Sequence, residues 1–228
     1  MTLDELKRLI ATGQLNIDIS DNIIETGELT HSSGTLANYS IKHGWDIIAA
    51  VKCDETWARS NIELFQYIEA QNFDDAMLAK VLESIQTEDY HWNWFKKSSH
   101  FTSNEYEWFF LFSDNQPQGA CLIYHPKCSA LNQANIFYVE FLAVAPWNRD
   151  CLVRQREYKG VGSILLKAAL KYSVENLGLI PGFSLHSLPQ AKEYYEKLKM
   201  INIAPMDKGA LLYFELPQSE ANKLMGGT

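Results

Sequence analysis

The chain lacks any run of about 18 apolar residues, so it offers no candidate for a membrane-spanning helix. Its opening, MTLDELKRLIATGQ, is charged and amphipathic, without the apolar core of a secretory leader, and a cytoplasmic protein is expected. Cysteine is sparse. Cys53, Cys121, Cys128 and Cys151 are all there is, and none sits in a CxxC or other metal-ligand spacing. Free thiols are the expectation. Six scattered histidines form no HExxH pair, so no metal is expected. Positive charge is also scarce: 20 Lys and Arg stand against 28 Asp and Glu, a net charge of −8. Extended nucleic-acid binding, which needs a basic face, is therefore not expected. Internal repeats and low-complexity tracts are missing too.

What is present is an ordinary core-forming composition, 46% hydrophobic over 228 residues. Spacing predicts a short amphipathic helix over 2–12, with Thr2 and Glu5 as a capping pair. Residues 13–44 are polar and turn-rich, and no element is assigned to them. WDIIAAVKC, 45–53, is compact and β-branched enough for a buried strand, with a helical segment as the alternative. Helical patterns follow at 55–70 and 73–86, with Asn72 or Asp74 as caps of the second. Two strand-like runs, 105–112 and 118–125, flank the turn composition SDNQPQG and predict a β-hairpin. A strand is expected over 135–146, a glycine-led helix over 160–176, a short strand over 182–187, a helix over 189–200 and a last strand over 210–216. A strand–helix–strand series implies a parallel pair, and a hairpin implies antiparallel neighbours. The expected fold is α/β (α+β), a mixed, largely antiparallel sheet flanked by helices. The expected organisation is an N-terminal extension over 1–44, a domain over 45–217 and a polar tail over 218–228.

The stretch EYKGVGSILLKAAL, 157–170, carries the chemical signal. A helix start leaves about four backbone N–H groups without intrahelical partners, and the helix dipole makes them partly positive. Gly160 and Gly162 remove Cβ atoms that would keep a ligand from those donors. The preceding loop adds Arg149, Arg154, Arg156 and Lys159. A phosphate group suits this combination, and an ordinary turn accounts for a bare GxG equally well. GVGS lacks the lysine and spacing of a P-loop, and Leu165 stands at the third glycine of a dinucleotide fingerprint, so both of those readings fail.

Three segments in order resemble the GNAT superfamily of N-acetyltransferases. YVEFLAVAP resembles the family's central strand, EYKGVGSILL its pyrophosphate loop, and LPQAKEYYEKLKM its late helix; the likeness spans residues 105–216. The departures are local. Glu157 stands where the family prefers Gln or Arg, Tyr158 where Gly is common, and Leu188 in place of Asn. Lys199 and Met200 replace the Gly–Phe ending, and the connection from Pro146 to the loop is several residues longer than usual.

The resemblance implies acetyl-CoA as co-substrate. Tyr158, Lys159, Gly160, Val161, Gly162 and Ser163 would surround its pyrophosphate. The backbone of Leu142, Ala143 and Val144 would meet the pantetheine and acetyl group. It also implies Tyr195 as the group that protonates the departing thiolate, with Tyr194 beside it leaving the register open from sequence alone. Glu140 matches a general base, directly or through water. The strand alternation puts Glu140 with Leu142 and Val144 on one face, where a merely solvated glutamate is the competing reading. The expected reaction is direct attack by a primary amine in a ternary complex, the acceptor being a small molecule or a protein. A homodimer is compatible with it. The alternative is a non-catalytic acyl-CoA-binding or sensor domain of the same fold. The aromatic stretch 89–101 is read as core packing or as an acceptor-pocket wall, and His186 as a structural histidine at a strand end.

Overall fold

The computed structural model describes residues 22–226, together with Glu5, Arg8, Leu9, Thr12 and Gln14. Most of the helix expected over 2–12 lies outside the described residues. Eight strands form one sheet. They are β1 (Ile23–Thr30), β2 (Leu36–His43), β3 (Tyr106–Ser113), β4 (Gln116–Cys128), β5 (Asn135–Val144), β6 (Phe183–Ser187), β7 (Ile201–Asn202) and β8 (Leu212–Leu216). Their order is β1-β2-β3-β4-β5-β6-β8-β7. The pairs β1–β2, β6–β8 and β7–β8 are antiparallel, and β5–β6 is parallel. Helices α1 (Ile47–Ala70), α2 (Asp75–Glu83), α3 (Trp94–His100), α4 (Val161–Glu175), α5 (Lys192–Lys197) and α6 (Gln218–Leu224) complete the described elements with three short 3-10 turns. This is the mixed, largely antiparallel sheet with helices that the sequence predicts.

By contacts the chain divides into two units. The first comprises Met1–Thr102, Phe110–Ala120 and Ala143–Gly162; the second comprises Ser103–Phe109, Cys121–Leu142 and Ser163–Thr228.

In the first unit, residues 22–44, left unassigned from sequence, form the β1–β2 hairpin, with Thr30 opposite Leu36 and Thr26 opposite Ser40. The strand reading of 45–53 is overturned: this run is the beginning of α1. Asp46 decides it, because its carboxylate accepts from the Ala49 N–H at 2.8 Å and caps the helix. The apolar residues then continue at helical spacing through Ile47, Ala50, Val51, Trp57, Leu64 and Ile68, all buried. Asp74, not Asn72, caps α2, accepting from Met77 N–H. Leu64, Ile68 and Val81 pack together with Phe73, Leu78, Cys151 and Val153, so the long loop before α4 lies on the α1–α2 core. Asp54 of α1 accepts from the backbone N–H groups of Trp94 and Phe95, which fixes the start of α3. Trp94 and Phe95 are buried, and Trp57 meets Trp94 edge to face at 5.7 Å. The aromatic stretch thus contributes to the core.

The β3–β4 hairpin appears as expected. Asp114 and Asn115 hold φ of 48° and 60°, the pair of positive values that a type I′ turn requires.

In the second unit, Phe109, Phe137, Phe183, Leu185 and Phe214 form an apolar interior. Leu165, Leu166, Ala168, Ala169 and Leu170 of α4 are buried. Glu215 is 1% exposed and fully supplied with donors: the Ser129 hydroxyl, the Ala130 N–H at 2.9 Å and the Leu131 N–H at 3.3 Å. It ties the turn between β4 and β5 to β8.

Candidate functional site

Strand β5 carries two of the implied groups, and its pairing is incomplete. It pairs with β6 over three residues, Phe137 with Phe183, Tyr138 with Ser184 and Val139 with Leu185. Yet β5 runs on to Val144 and β6 to Ser187. From Glu140 and His186 onward the two strands part, which leaves main-chain donors and acceptors of β5 on that side outside the β5–β6 ladder.

Glu140 is half-buried at this fork. Tyr138 shares its face by strand alternation. Burial is the main cause that pushes the Tyr138 phenol up to about 12, and the Glu140 carboxylate adds to it. Tyr106 is raised in the same way, by burial first and then by Glu140. Tyr124 lies against Tyr106, ring centroids 5.4 Å apart. The carboxylate therefore sits among phenols held neutral. Tyr138 Oη also lies 2.7 Å from His186 Nδ1, and His186 Nε2 lies 2.9 Å from the Met206 carbonyl.

Tyr195 occupies different surroundings in the same unit. Its ring lies 5.8 Å from Phe214 and 5.1 Å from Tyr194. Burial, then Tyr194 and Cys121, lift its phenol well above the usual range, so it keeps its proton at any working pH. Tyr194 is the tyrosine that reaches the glycine helix: its hydroxyl is 2.9 Å from Ser163 Oγ.

The first unit holds Ala143, Val144, Tyr158, Lys159, Gly160, Val161 and Gly162. Helix α4 begins at Val161, so the N–H groups of Gly160, Val161, Gly162 and Ser163 have no intrahelical partner. Gly160 offers no side chain to cap them. Its φ is +81°, a conformation that suits glycine, and open space surrounds the place where a Cβ would stand. Tyr158 is buried with its ring 5.3 Å from His31, and its N–H is already donated to Asn148 Oδ1 at 3.1 Å. Glu157 points to solvent, its backbone engaged by Trp147 and Ser32.

The loop cations are engaged within the protein. Arg149 makes a two-pronged pair with Asp89, both contacts at 2.6 Å, and also donates to the Val144 carbonyl at 2.7 and 3.1 Å. Arg154 donates to the Pro146 carbonyl, and Arg156 pairs with Asp150. Lys159 is exposed. The long loop thus uses its arginines to hold its own path, and Lys159 and Gly160 are the exposed residues just before the helix.

Sequence reasoning missed Asp89, which is 60 positions from Arg149 and carries no local signal. It also missed the Tyr138–His186–Met206 chain, which only the packing of β5, β6 and the turn before β8 creates. Among the described residues, no group of three or more His, Cys, Asp or Glu could hold a metal ion, and no helix is long and apolar enough to cross a membrane.

No known family profile matches the chain, and no curated protein matches it. Solved structures of N-acetyltransferases and GNAT proteins are similar to it. PaiA N-acetyltransferase from Thermoplasma acidophilum, in complex with coenzyme A, is 15% identical, with 77% of this chain and 98% of that chain covered and a TM-score of 0.46. The GNAT domain of PAT from S. lividans is 11% identical, with coverages of 84% and 96% and a TM-score of 0.49. Apo FdhC, described as a nucleotide-linked sugar GNAT, is 14% identical, with coverages of 87% and 93% and a TM-score of 0.48. None of these likenesses carries a residue's role across.

Proposed function

We propose that this chain is an acetyl-CoA-dependent N-acetyltransferase of the GNAT type, moving an acetyl group to a primary amine. The observation that carries the reading is the fork, where β5 continues for five residues beyond its last pair with β6. An extended, amide-bearing arm such as pantetheine can satisfy main-chain groups of Leu142, Ala143 and Val144 as an added strand would. The same segment of chain leads, past the loop, to the uncapped amides of Gly160, Val161, Gly162 and Ser163, which suit a pyrophosphate. Lys159 adds a positive charge beside them, and Tyr158 contributes packing. Bound acetyl-CoA would supply an activated acyl thioester.

The remaining roles belong to the chain's own residues. Glu140 takes a proton from the attacking amine, directly or through water. A main-chain N–H of the Leu142–Val144 segment stabilises negative charge developing on the acetyl oxygen. Tyr195 presents a retained proton to the departing sulfur. Attack is direct, with no acyl-enzyme. The acceptor is a small molecule or a protein bearing an amine.

The test is stepwise. Acetyl-CoA at millimolar concentration is expected to raise the apparent melting temperature. Thiol release with a panel of primary amines is then expected, and Tyr195→Phe with Glu140→Gln is expected to suppress it while binding survives. A missing thermal shift would sink the reading. The alternative reading is a non-catalytic acyl-CoA binder. That reading predicts the thermal shift without thiol release for any amine.

A further inference from the structure

Glu157 and Tyr158 stand just ahead of the glycine start of α4, and two turns of the first unit hold them. One is the short turn Pro146–Asn148. The Trp147 indole N–H can only donate, so Gln118 Oε1, 2.7 Å away, is its acceptor. The same oxygen then takes a hydrogen from Asn148 Nδ2 at 2.9 Å. That leaves Asn148 Oδ1 for the Tyr158 N–H, which donates to it at 3.1 Å. The Glu157 N–H donates to the Trp147 carbonyl at 2.9 Å. Gln118 and Asn148 are 4% and 5% exposed, so these bonds form where an unmet partner is costly.

The other is the turn of the β1–β2 hairpin. His31 and Tyr158 form an antiparallel bridge, and the Ser32 N–H donates to the Glu157 carbonyl at 2.8 Å. Residues opposed in such a bridge bring their side chains together on one face. The rings of His31 and Tyr158 accordingly meet edge to face at 5.3 Å. The turn is itself tied. His31 N–H donates to the Thr35 carbonyl at 2.8 Å, Gly34 N–H to the His31 carbonyl at 2.8 Å, and Ser33 N–H to His31 Nδ1 at 3.1 Å.

Both N–H groups of Glu157 and Tyr158 are therefore engaged within the protein, as are the Glu157 carbonyl and the Tyr158 ring. The Glu157 side chain is exposed, so its main chain does the holding. This gives the two departures from the family pattern a common account: Tyr158 supplies a ring for His31 to pack against, and position 157 is used for its backbone. A long loop has many conformations, and aiming its last residues at a ligand costs entropy unless they are fixed beforehand. The bridge to the hairpin supplies that fixing.

We infer that His31 and Ser32 are positioning residues, acting through Glu157 and Tyr158 to set the N–H groups of Gly160, Val161 and Gly162 towards a ligand's pyrophosphate. The hairpin over 23–43, read from sequence within an N-terminal extension, is thereby part of the cofactor site. The ligand's identity as an acyl-CoA rests on the transferase reading; the hold on Glu157 and Tyr158 does not.

The test uses the full chain and two probes, acetyl-CoA and S-acetylpantetheine, which keeps the thioester arm and lacks the pyrophosphate. His31→Ala is expected to weaken acetyl-CoA binding about tenfold in calorimetry, with the circular dichroism unchanged. S-acetylpantetheine, titrated by nuclear magnetic resonance, is expected to bind both proteins equally. Unchanged acetyl-CoA affinity overturns the inference. An equal loss for the two ligands also overturns it, because a general loosening of the fold would produce that result. Amide exchange supplies an arm without any ligand. Exchange at Glu157 and Tyr158 is expected to be slow in the wild type and about tenfold faster in His31→Ala. Fast exchange in the wild type, or no change in the variant, overturns the hold. If the wild type binds no acetyl-CoA, the transferase reading fails, and the exchange measurement alone decides whether the hairpin holds this segment.

Discussion

At the scale of single residues, the environment of each side chain sets what it can do. Tyr195 is half-buried with its ring against Phe214, and its phenol is lifted far above the usual range. It keeps its proton and acts by hydrogen bonding to developing charge rather than by ionising. Tyr195→Phe is therefore expected to cut turnover about 10- to 100-fold by a factor constant from pH 6 to 9, leaving acetyl-CoA affinity unchanged in calorimetry. A ratio that changes with pH across that range would contradict this role. Gly160 is set by its backbone instead. At φ +81° a side chain is strained, so Gly160→Ala is expected to cost about 1–2 kcal/mol in urea denaturation and to weaken acetyl-CoA binding. Arg149 shows how a residue read as a phosphate ligand can have another task. Its guanidinium ties Asp89 to the end of β5, both partners largely buried, and Arg149→Met is expected to destabilise by about 3 kcal/mol. Equilibrium unfolding that matches wild type would show the pair to be dispensable.

At the scale of elements, caps and fixed turns decide where chain segments begin. Asp46 converts a β-branched run into helix α1 by one buried hydrogen bond. Asp46→Ala is expected to lower stability by about 1 kcal/mol, read from the urea midpoint, with Asp46→Asn restoring most of it. Identical midpoints for all three proteins would remove the cap from the account. The hairpin turn at Asp114 and Asn115, the cap at Asp74 and the glycine start of α4 obey the same local rules. These were the elements most legible in the sequence, because their signals lie within three or four residues. The hairpin β1–β2 was not legible. Its strands are half-exposed and polar, and only pairing along the full register from Thr30–Leu36 to Ile23–Lys42 defines them.

At the scale of the whole molecule, the buried phenols shape stability against pH. Tyr39 and Tyr138 are each pushed up to about 12, mainly by burial, and Tyr195 is raised further. In the unfolded chain these groups ionise near the ordinary value of about 10. The folded pKa is the higher one, so their stabilisation is complete below about pH 10 and is lost as pH climbs towards 12. Both Tyr39 and Tyr138 are only half-buried, so solvent screening moderates their share. Urea midpoints measured from pH 8 to 12 are expected to be level at first and then to decline above about 10. A midpoint that rises there would reverse the sign and refute the assignment.

The sequence by itself determined the order of the longer strands and helices between residues 105 and 216, the parallel crossover through α4 and the glycine start of that helix, but neither β7 nor α6. Those features follow from periodicity, turn chemistry and capping, which act between near neighbours along the chain. It also placed Glu140 on a strand and Tyr195 on a helix. Only the tertiary structure decided that β5 and β6 part after Val139, that Arg149 is spent on Asp89 and Val144, that Tyr194 meets Ser163, and that His186 lies between Tyr138 and Met206. The physical reason is common to all four. Each depends on hydrogen bonds between groups distant in sequence, whose partners become neighbours only when the sheet has formed and burial makes an unmet donor or acceptor costly.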